Sequence, residues 1–207
     1  MKTPTPQVEI AGTGRFLPSN VVTNDDLAER MDTTDEWIRT RTGIRERRIG
    51  DPSLLAAEMG RQSALKAMES AGVEPGEVDI VIVSTATPDR WLPSTACDVQ
   101  TLLGCDNALA FDIQAACSGW LYGLTMAEGF LAAGRGQVAL VVATEKMSNI
   151  LDWEDRATCV LFGDGSGAAV LKPSDGQRGI LSAHHRSDGS LAELLYRPAG
   201  GVRMPLD

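Results

Sequence analysis

A chain of 207 residues, 43% of them hydrophobic and 23% charged, is long and apolar enough to bury one sizeable core, which argues against wholesale disorder. Its formal net charge of -9 argues against general binding to nucleic acid, which needs a basic surface to neutralise phosphates. No apolar run approaches the roughly 20 residues of a membrane-spanning helix, and the first residues lack the apolar segment of a secretory signal, so we expect a cytoplasmic protein without a membrane partner.

The first third of the chain predicts a short strand followed by three helices. The strand is expected at 8–11 and the helices at 24–30, 34–41 and 53–71. Either Thr33 or Thr34 is expected to cap the second helix. Asp51 and Pro52 form a favourable start for the third helix, and Gly72 is expected to end it.

From residue 80 onward, apolar runs of the β type alternate with helical patterns. The run at 80–83 is continuously apolar, which predicts a strand buried on both faces. Further strands are expected at 108–113, 138–144, 168–171 and 180–183, and helices at 93–103 and 117–133. This alternation is typical of an α/β unit with a largely parallel, buried sheet.

Two glycine-rich segments resemble phosphate-binding loops only superficially. The segment 163–167 lacks the Lys-Ser/Thr ending of such a loop, and the pair Gly12 and Gly14 has Leu17 where a third glycine would be needed. We therefore expect both segments to be tight turns.

Turn signals dominate the sequence after Pro173. We therefore expect one α/β unit at 1–172 and a connecting segment at 173–207. Because no closing element precedes Asp207, we also expect further chain to follow it.

Five arginines within ten residues interrupt the acidic character of the chain: Arg39, Arg41, Arg45, Arg47 and Arg48. One interpretation is a solvated charged face. The other is a docking site for a phosphate-bearing ligand or an acidic partner.

The cysteines and histidines do not form a metal-binding pattern. None of the four cysteines belongs to a C-x-x-C pair, and His184 and His185 are adjacent, so we expect neither a metal site nor a structural disulfide. Cys97, Cys105 and Cys159 are expected to be packing residues.

Cys117 is the candidate nucleophile. It follows a predicted buried strand and is expected at the start of a long helix, where unpaired N–H groups and a positive partial charge favour thiolate over thiol. Ala115, Ala116 and Gly119 are expected to leave space for a substrate to approach the sulfur. The alternative interpretation is that Cys117 is a small buried hydrophobic residue.

The segment 111–120 around Cys117 resembles the active-site stretch of β-ketoacyl-acyl carrier protein synthase III, a condensing-enzyme family of the thiolase superfamily. Three further segments agree with that family in order and spacing, and they lie at 23–47, 155–168 and 187–195. The resemblance implies a thiolase-like α/β fold, of which this chain supplies the N-terminal half. That half belongs to a duplicated α/β/α architecture with a mixed, largely parallel buried sheet.

The resemblance also implies an activity. The family loads an acyl group from acyl-CoA onto a cysteine, here Cys117, and condenses it with malonyl-acyl carrier protein by decarboxylative Claisen chemistry. This acyltransferase step initiates fatty acid or related polyketide synthesis. Acyl-CoA is a substrate, so no cofactor is expected, and the family forms homodimers.

Several residues that contact coenzyme A in this family have counterparts in this sequence. Trp37 and Arg156 match the residues that stack on the two faces of the adenine, and Thr33 and Arg41 match residues that contact the nucleotide.

Positions for the acyl chain carry over as well. Met147 and Phe162 match residues of the acyl pocket, and Leu92 matches a position that reaches into the partner subunit's pocket. Leu92 departs from the phenylalanine often found there, which predicts room for a longer or branched acyl group.

The family's catalytic histidine and asparagine come from the second half, and the resemblance assigns neither role to His184 or His185. We therefore expect this chain alone to be inactive in condensation. An alternative is a non-catalytic half-thiolase that acts as a binding or scaffold partner.

Overall fold

The computed structural model describes residues 8–176 and 178–205. A five-stranded mixed sheet lies between helices, and a separate sheet of two antiparallel strands lies beside it. The strands are β1 (Val8–Phe16), β2 (Val21–Thr23), β3 (Glu46–Arg48), β4 (Ile80–Ser84), β5 (Leu109–Ile113), β6 (Ala139–Lys146) and β7 (Asp164–Pro173). The helices are α1 (Asn24–Ala28), α2 (Asp35–Thr42), α3 (Ala56–Ala71), α4 (Thr95–Leu103) and α5 (Gly119–Ala132).

The strand order of the main sheet is β1-β7-β6-β4-β5. The central strand β4 is parallel to both β5 and β6, whereas β7 is antiparallel to β6 and to β1. The pair of β1 with β7 joins Val8 to Pro173. Because β4, β5 and β6 run in the same direction, the segments that follow them emerge at one edge of the sheet.

Helices cover the sheet on both faces, as the sequence predicted. Val81 and Val83 of β4 belong to a core with α3 and α4, and Ile80 and Ile82 belong to a core with α5. All five residues of β4 are buried, so a continuously apolar strand is the favourable solution there. The prediction of an α/β unit with a buried sheet is therefore confirmed.

The glycine-rich segments are not tight turns, and that prediction was wrong. Gly12 and Gly14 lie within β1, where any Cβ would overlap the backbone of α3 at Ala67 and Ser63. The segment 163–167 runs into β7, where a Cβ on Gly163 would lie 3.0 Å from the Arg48 carbonyl oxygen. These glycines permit close backbone packing, which a motif search along the sequence does not detect.

Two helices begin later than predicted because distant carboxylates cap them. Helix α3 begins at Ala56 rather than at residue 53, and the Asp89 carboxylate accepts hydrogen bonds from the N–H groups of Ala56 (2.7 Å) and Ala57 (3.0 Å). Asp51, the predicted cap, accepts hydrogen bonds from Ser53 instead.

Helix α4 has the same kind of cap. Asp112 of β5 accepts hydrogen bonds from the N–H groups of Thr95 and Ala96, both at 2.7 Å. The caps at Thr34 of α2 and at Gly72 after α3 agree with the sequence.

A small third core supports the two-stranded sheet of β2 and β3 and the two helices that connect these strands. Its buried members are Leu27, Ile38, Cys159 and Val160, and Trp37 packs against it. This core connects the N-terminal helices to the segment that precedes β7.

The segment after β7 contains little regular structure. The strand predicted at 180–183 was wrong, because only a backbone hydrogen bond from Ile180 to the Val8 carbonyl (2.8 Å) joins this stretch to β1. Further along, side chains rather than a ladder hold the segment against α5. The division at 172 and 173 stays a prediction, and its two outer ends, 1–7 and 206–207, lie outside the described residues. Over the described ranges, no helix is long and apolar enough to cross a membrane.

Candidate active site

Cys117 lies in a 3₁₀ turn between β5 and α5. The α-helix begins at Gly119, two residues later than the sequence predicted, and the turn leads directly into it. Ala116 adopts a φ of 44°, a left-handed conformation that costs a non-glycine residue about 1 kcal/mol. The strained residue Ala116 directly precedes Cys117, which is exposed to solvent and is therefore not a buried packing residue.

Gly119 serves packing rather than substrate access, which corrects the prediction from sequence. It is buried, and any Cβ at this position would overlap the Ser84 Oγ at the end of β4. Gly123, one turn later, faces Val141 of β6, whose Cγ1 would lie 2.8 Å from a Cβ. The two glycines hold the beginning of α5 close to the sheet and thereby fix the turn of Cys117.

The other cysteines have different surroundings. Cys105 and Cys159 are buried, and burial raises the pKa of the Cys105 thiol to about 11 and also raises the pKa of Cys159. Cys97 is half-buried and accepts a hydrogen bond from Ser94 Oγ at 3.2 Å. Only Cys117 is exposed among the four thiols of the described chain.

Of the four residues predicted for coenzyme A, Arg41 and Arg156 lie over the indole of the third, Trp37. The guanidinium carbon of Arg41 is 4.4 Å from the centre of the Trp37 ring, and that of Arg156 is 5.0 Å from it. Arg156 also donates a hydrogen bond to the Asp32 carbonyl, beside the buried Thr33. The Thr33 hydroxyl has no hydrogen-bond partner among the described residues.

The five clustered arginines do not form one surface. Arg47 is 5% exposed, and its guanidinium donates to Asn24 Oδ1 (2.9 Å) and to the Val160 carbonyl (3.2 Å), so it ties the third core together. Burial lowers the pKa of Arg47. Arg39 pairs with Asp35 at 3.8 Å. Arg47 therefore belongs to the interior, and both interpretations from sequence, a solvated face and a docking site, stay open for the exposed arginines such as Arg41.

Two of the three predicted acyl-pocket residues lie close together. Met147 directly follows β6 and Phe162 lies just before β7, where Lys146 pairs with Asp164 across the two strands. Leu92 is 85% exposed in the loop before α4. A cavity of about 1050 Å³ lies beside Ser148, but its lining in the described chain includes none of the three residues.

Sequence reasoning missed two carboxylates at the edge of the sheet, the buried Asp164 and the half-buried Glu145. Asp164 accepts hydrogen bonds from the N–H groups of Gly50 (2.8 Å) and Ser148 (2.9 Å), and so fixes the segment next to Met147. Glu145, at the end of β6, accepts hydrogen bonds from Ala86 and Thr87. The available signal was the position of an acidic residue directly beside an apolar strand.

Among the described residues, neither histidine forms a hydrogen bond with the turn of Cys117. His185 contacts α5, where its Nε2 is 2.7 Å from the Thr125 hydroxyl and its ring meets Tyr122 edge-on at 5.3 Å. Both histidines are exposed. That neither is catalytic stays a prediction.

This arrangement offers two chemical functions. An exposed thiol next to the positive end of a helix is suited to nucleophilic attack. An indole beside two guanidinium groups is suited to binding an aromatic anion such as a nucleotide.

Comparisons with known proteins give a consistent family. The sequence model of 3-oxoacyl-[acyl-carrier-protein (ACP)] synthase III matches residues 111–189, which include Cys117. The curated β-ketoacyl-[acyl-carrier-protein] synthase III of Caldanaerobacter subterraneus subsp. tengcongensis is 50% identical over 196 residues, which cover 95% of this chain and 59% of the relative.

Solved structures agree with this result. The 3-oxoacyl-[acyl-carrier-protein] synthase III of Aquifex aeolicus is similar with a TM-score of 0.87 at 48% identity, over 89% of this chain and 59% of that one. The priming β-ketosynthase of the R1128 polyketide biosynthetic pathway is similar with a TM-score of 0.80 at 41% identity, over 84% and 53% of the two chains. The chain thus spans about three fifths of the length of the curated relatives it matches.

Proposed function

We propose that the chain belongs, over the part of their length that it spans, to the β-ketoacyl-[acyl-carrier-protein] synthase III family and that it carries the acyl-accepting site of a condensing enzyme. The exposure of Cys117 in the turn between β5 and α5 is the observation that carries this proposal. The other thiols are less suitable because they are wholly or partly buried.

In the first step, the Cys117 thiolate attacks the carbonyl carbon of an acyl-CoA. A new C–S bond forms to Cys117, the C–S bond to coenzyme A breaks, and coenzyme A leaves as a thiolate that takes up a proton. A thioester replaces a thioester, so the transfer is close to balanced in free energy. The turn holds the sulfur in place, which is the contribution of positioning to covalent catalysis.

Coenzyme A is recognised in this proposal by the surface around Trp37. A base stacked between the indole and Arg156 requires about 7 Å between the two groups, that is, two stacking distances. They are 5.0 Å apart, so Arg156 moves outward when the nucleotide enters. The unpartnered hydroxyl of Thr33 supports a ligand contact at the same place.

In the second step, which in this proposal also requires the histidine and asparagine of the family's second half, the acyl group on Cys117 is condensed with malonyl-acyl carrier protein. Loss of carbon dioxide leaves an enolate, which attacks the acyl-cysteine carbonyl and releases the thiolate of Cys117. The acceptor chemistry suits the initiation of fatty acid synthesis, and the similarity to a priming ketosynthase suits polyketide initiation equally. We also propose a homodimer, in which the exposed Leu92 contacts the partner subunit.

The experiment is intact-mass spectrometry after incubation with acetyl-, isobutyryl- or octanoyl-CoA. We expect one acyl adduct on the protein and none on Cys117→Ala. Cys97→Ala is the matched control, since it removes a half-buried thiol and is expected to keep the adduct.

A protein that binds coenzyme A but forms no adduct with any of the three thioesters would contradict this function. That result would favour the alternative of a non-catalytic binding or scaffold protein.

A further inference from the structure

Glu145 is an acidic residue at the end of β6 whose carboxylate organises the loop that follows β4. Its Oε1 accepts a hydrogen bond from the Ala86 N–H at 2.8 Å, and its Oε2 accepts one from the Thr87 hydroxyl at 2.6 Å. The Thr87 oxygen in turn accepts the Lys146 N–H at 2.8 Å. The ends of β4 and β6 are thus joined through one carboxylate.

Glu145 lies on the same face of the sheet as the turn of Cys117. Residues of β6 alternate between the faces, and Ala139 and Val141 pack on the side of α5. Glu145 continues that row, whereas its neighbour Thr144 points to the opposite face and donates to the Ala56 carbonyl. The carboxylate is therefore on the side where α5 begins.

The last residue of β4 and the residue after it contact the elements on either side of the turn of Cys117. The Thr85 N–H donates to the carbonyl of Ile113 at 3.2 Å, at the end of the strand that leads into the turn. Ser84 lies against Gly119, the first residue of α5 after the turn. Residues on both sides of Cys117 thus rest on the segment 84–87.

Removing the Glu145 carboxylate from water has a cost in free energy. Burial raises the pKa of Glu145, while hydrogen bonds from Thr87 and Ala86 oppose that rise. An apolar side chain at this position would leave the Ala86 N–H and the Thr87 hydroxyl without this acceptor, so the carboxylate is what joins the end of β6 to the loop after β4.

We propose that Glu145 is a positioning residue for acyl transfer: through Ala86 and Thr87 it holds the segment on which the turn of Cys117 rests. This inference rests on the proposed function of Cys117. It assigns Glu145 no contact with the substrate.

The test compares Glu145→Ala and Glu145→Gln with the wild type in two reactions of the same thiol. Acylation by acetyl-CoA requires an aligned sulfur, whereas alkylation by iodoacetamide requires little more than exposure. We expect Glu145→Ala to slow acylation about tenfold or more, because small misplacements of a reacting group have effects of that size. Alkylation is expected to change less than about twofold. Glu145→Gln keeps an acceptor for the Ala86 N–H and is expected to be intermediate.

Thr144→Val is the matched control, since it removes a buried hydrogen bond from the neighbouring residue of β6 on the opposite face. It is expected to lower the melting temperature without slowing acylation. If acylation slowed equally in Thr144→Val and both Glu145 variants, or if acylation and alkylation slowed together, Glu145 would be a structural residue only. The positioning role would then be refuted while the proposed function stood. A wild-type protein that takes no acyl group would overturn the proposed function, and this inference with it.

Discussion

The proposed binding of coenzyme A at the surface around Trp37 can be tested by comparing Arg156 with Arg45. Both are exposed, but only Arg156 lies over the Trp37 ring. A stacking and cation–π contact with a base is worth about 1–3 kcal/mol. We therefore expect Arg156→Ala to weaken coenzyme A binding about tenfold in calorimetry and Arg45→Ala to have little effect. Equal losses in the two variants would indicate a general effect of charge.

Leu92 is expected to set the range of acyl groups. Because leucine is smaller and more flexible than the phenylalanine often found at this position in the family, the protein is expected to accept isobutyryl- and octanoyl-CoA as well as acetyl-CoA. Leu92→Phe is expected to reduce the preference for isobutyryl-CoA relative to acetyl-CoA about tenfold, as measured by kcat/KM, because in the proposed homodimer the larger side chain would narrow the partner subunit's acyl pocket. Strict selectivity of the wild type for acetyl-CoA would contradict this prediction.

Cys105 is expected to make the free energy of unfolding depend on pH in the alkaline range. Burial raises its pKa to about 11 in the folded protein, so the unfolded chain loses this proton first as the pH rises. The free energy of unfolding is therefore expected to fall as the pH increases from about 9 to about 11. Denaturation of the wild type and Cys105→Ala at several pH values measures this, and the variant is expected to show the smaller decrease. Identical slopes would mean that Cys105 titrates alike in both states.

At the scale of residues, local chemistry was predictable and contacts between distant residues were not. The place of Cys117 between a strand and a helix could be predicted because it follows from local features, while its role as nucleophile stays a prediction. Glu145 could not, since its partners Ala86 and Thr87 are far away in the sequence. Gly119 was misjudged for the same reason, because its neighbour is Ser84.

Helix α3 depends on a cap from outside its own segment. Asp89→Ala removes the acceptor of two N–H groups and is expected to lower the free energy of unfolding by about 1–2 kcal/mol. Asp51→Ala is the control, because Asp51 accepts hydrogen bonds from Ser53 rather than from α3. Urea denaturation of the two variants provides the comparison, and a larger loss for Asp51→Ala would contradict the assignment of the cap.

At the scale of elements, strands and helices with strong periodicity were predictable and their boundaries were less so. The apolar run that forms β4 was found because both of its faces are buried. The stretch at 180–183 contains a single β-branched residue, and among the described residues it makes one backbone hydrogen bond to β1, so it forms no strand. Whether such a segment forms a strand depends on a pairing partner elsewhere in the chain, which the local sequence does not specify.

Helix α5 leaves two large apolar side chains exposed, and we expect them to influence how the whole chain associates. The helix packs on the sheet through its small residues, which leaves Leu121 51% and Met126 39% exposed. We expect the 207-residue chain to self-associate or bind a partner through this surface. Replacing both residues by glutamate is expected to reduce association in analytical ultracentrifugation, whereas Leu65→Glu on α3 is not. A monodisperse wild-type monomer with a cooperative melt would contradict this expectation.

The antiparallel pair of β1 and β7 has a consequence for biosynthesis. Strand β1 is made first, but its partner β7 emerges from the ribosome roughly 150 residues later, which corresponds to on the order of 10 s of translation. During that interval the nascent β1 exposes an unpaired strand edge, and the glycines that will face α3 give it no bulky side chains as protection. The nascent chain is therefore expected to need a chaperone until Pro173 has left the exit tunnel.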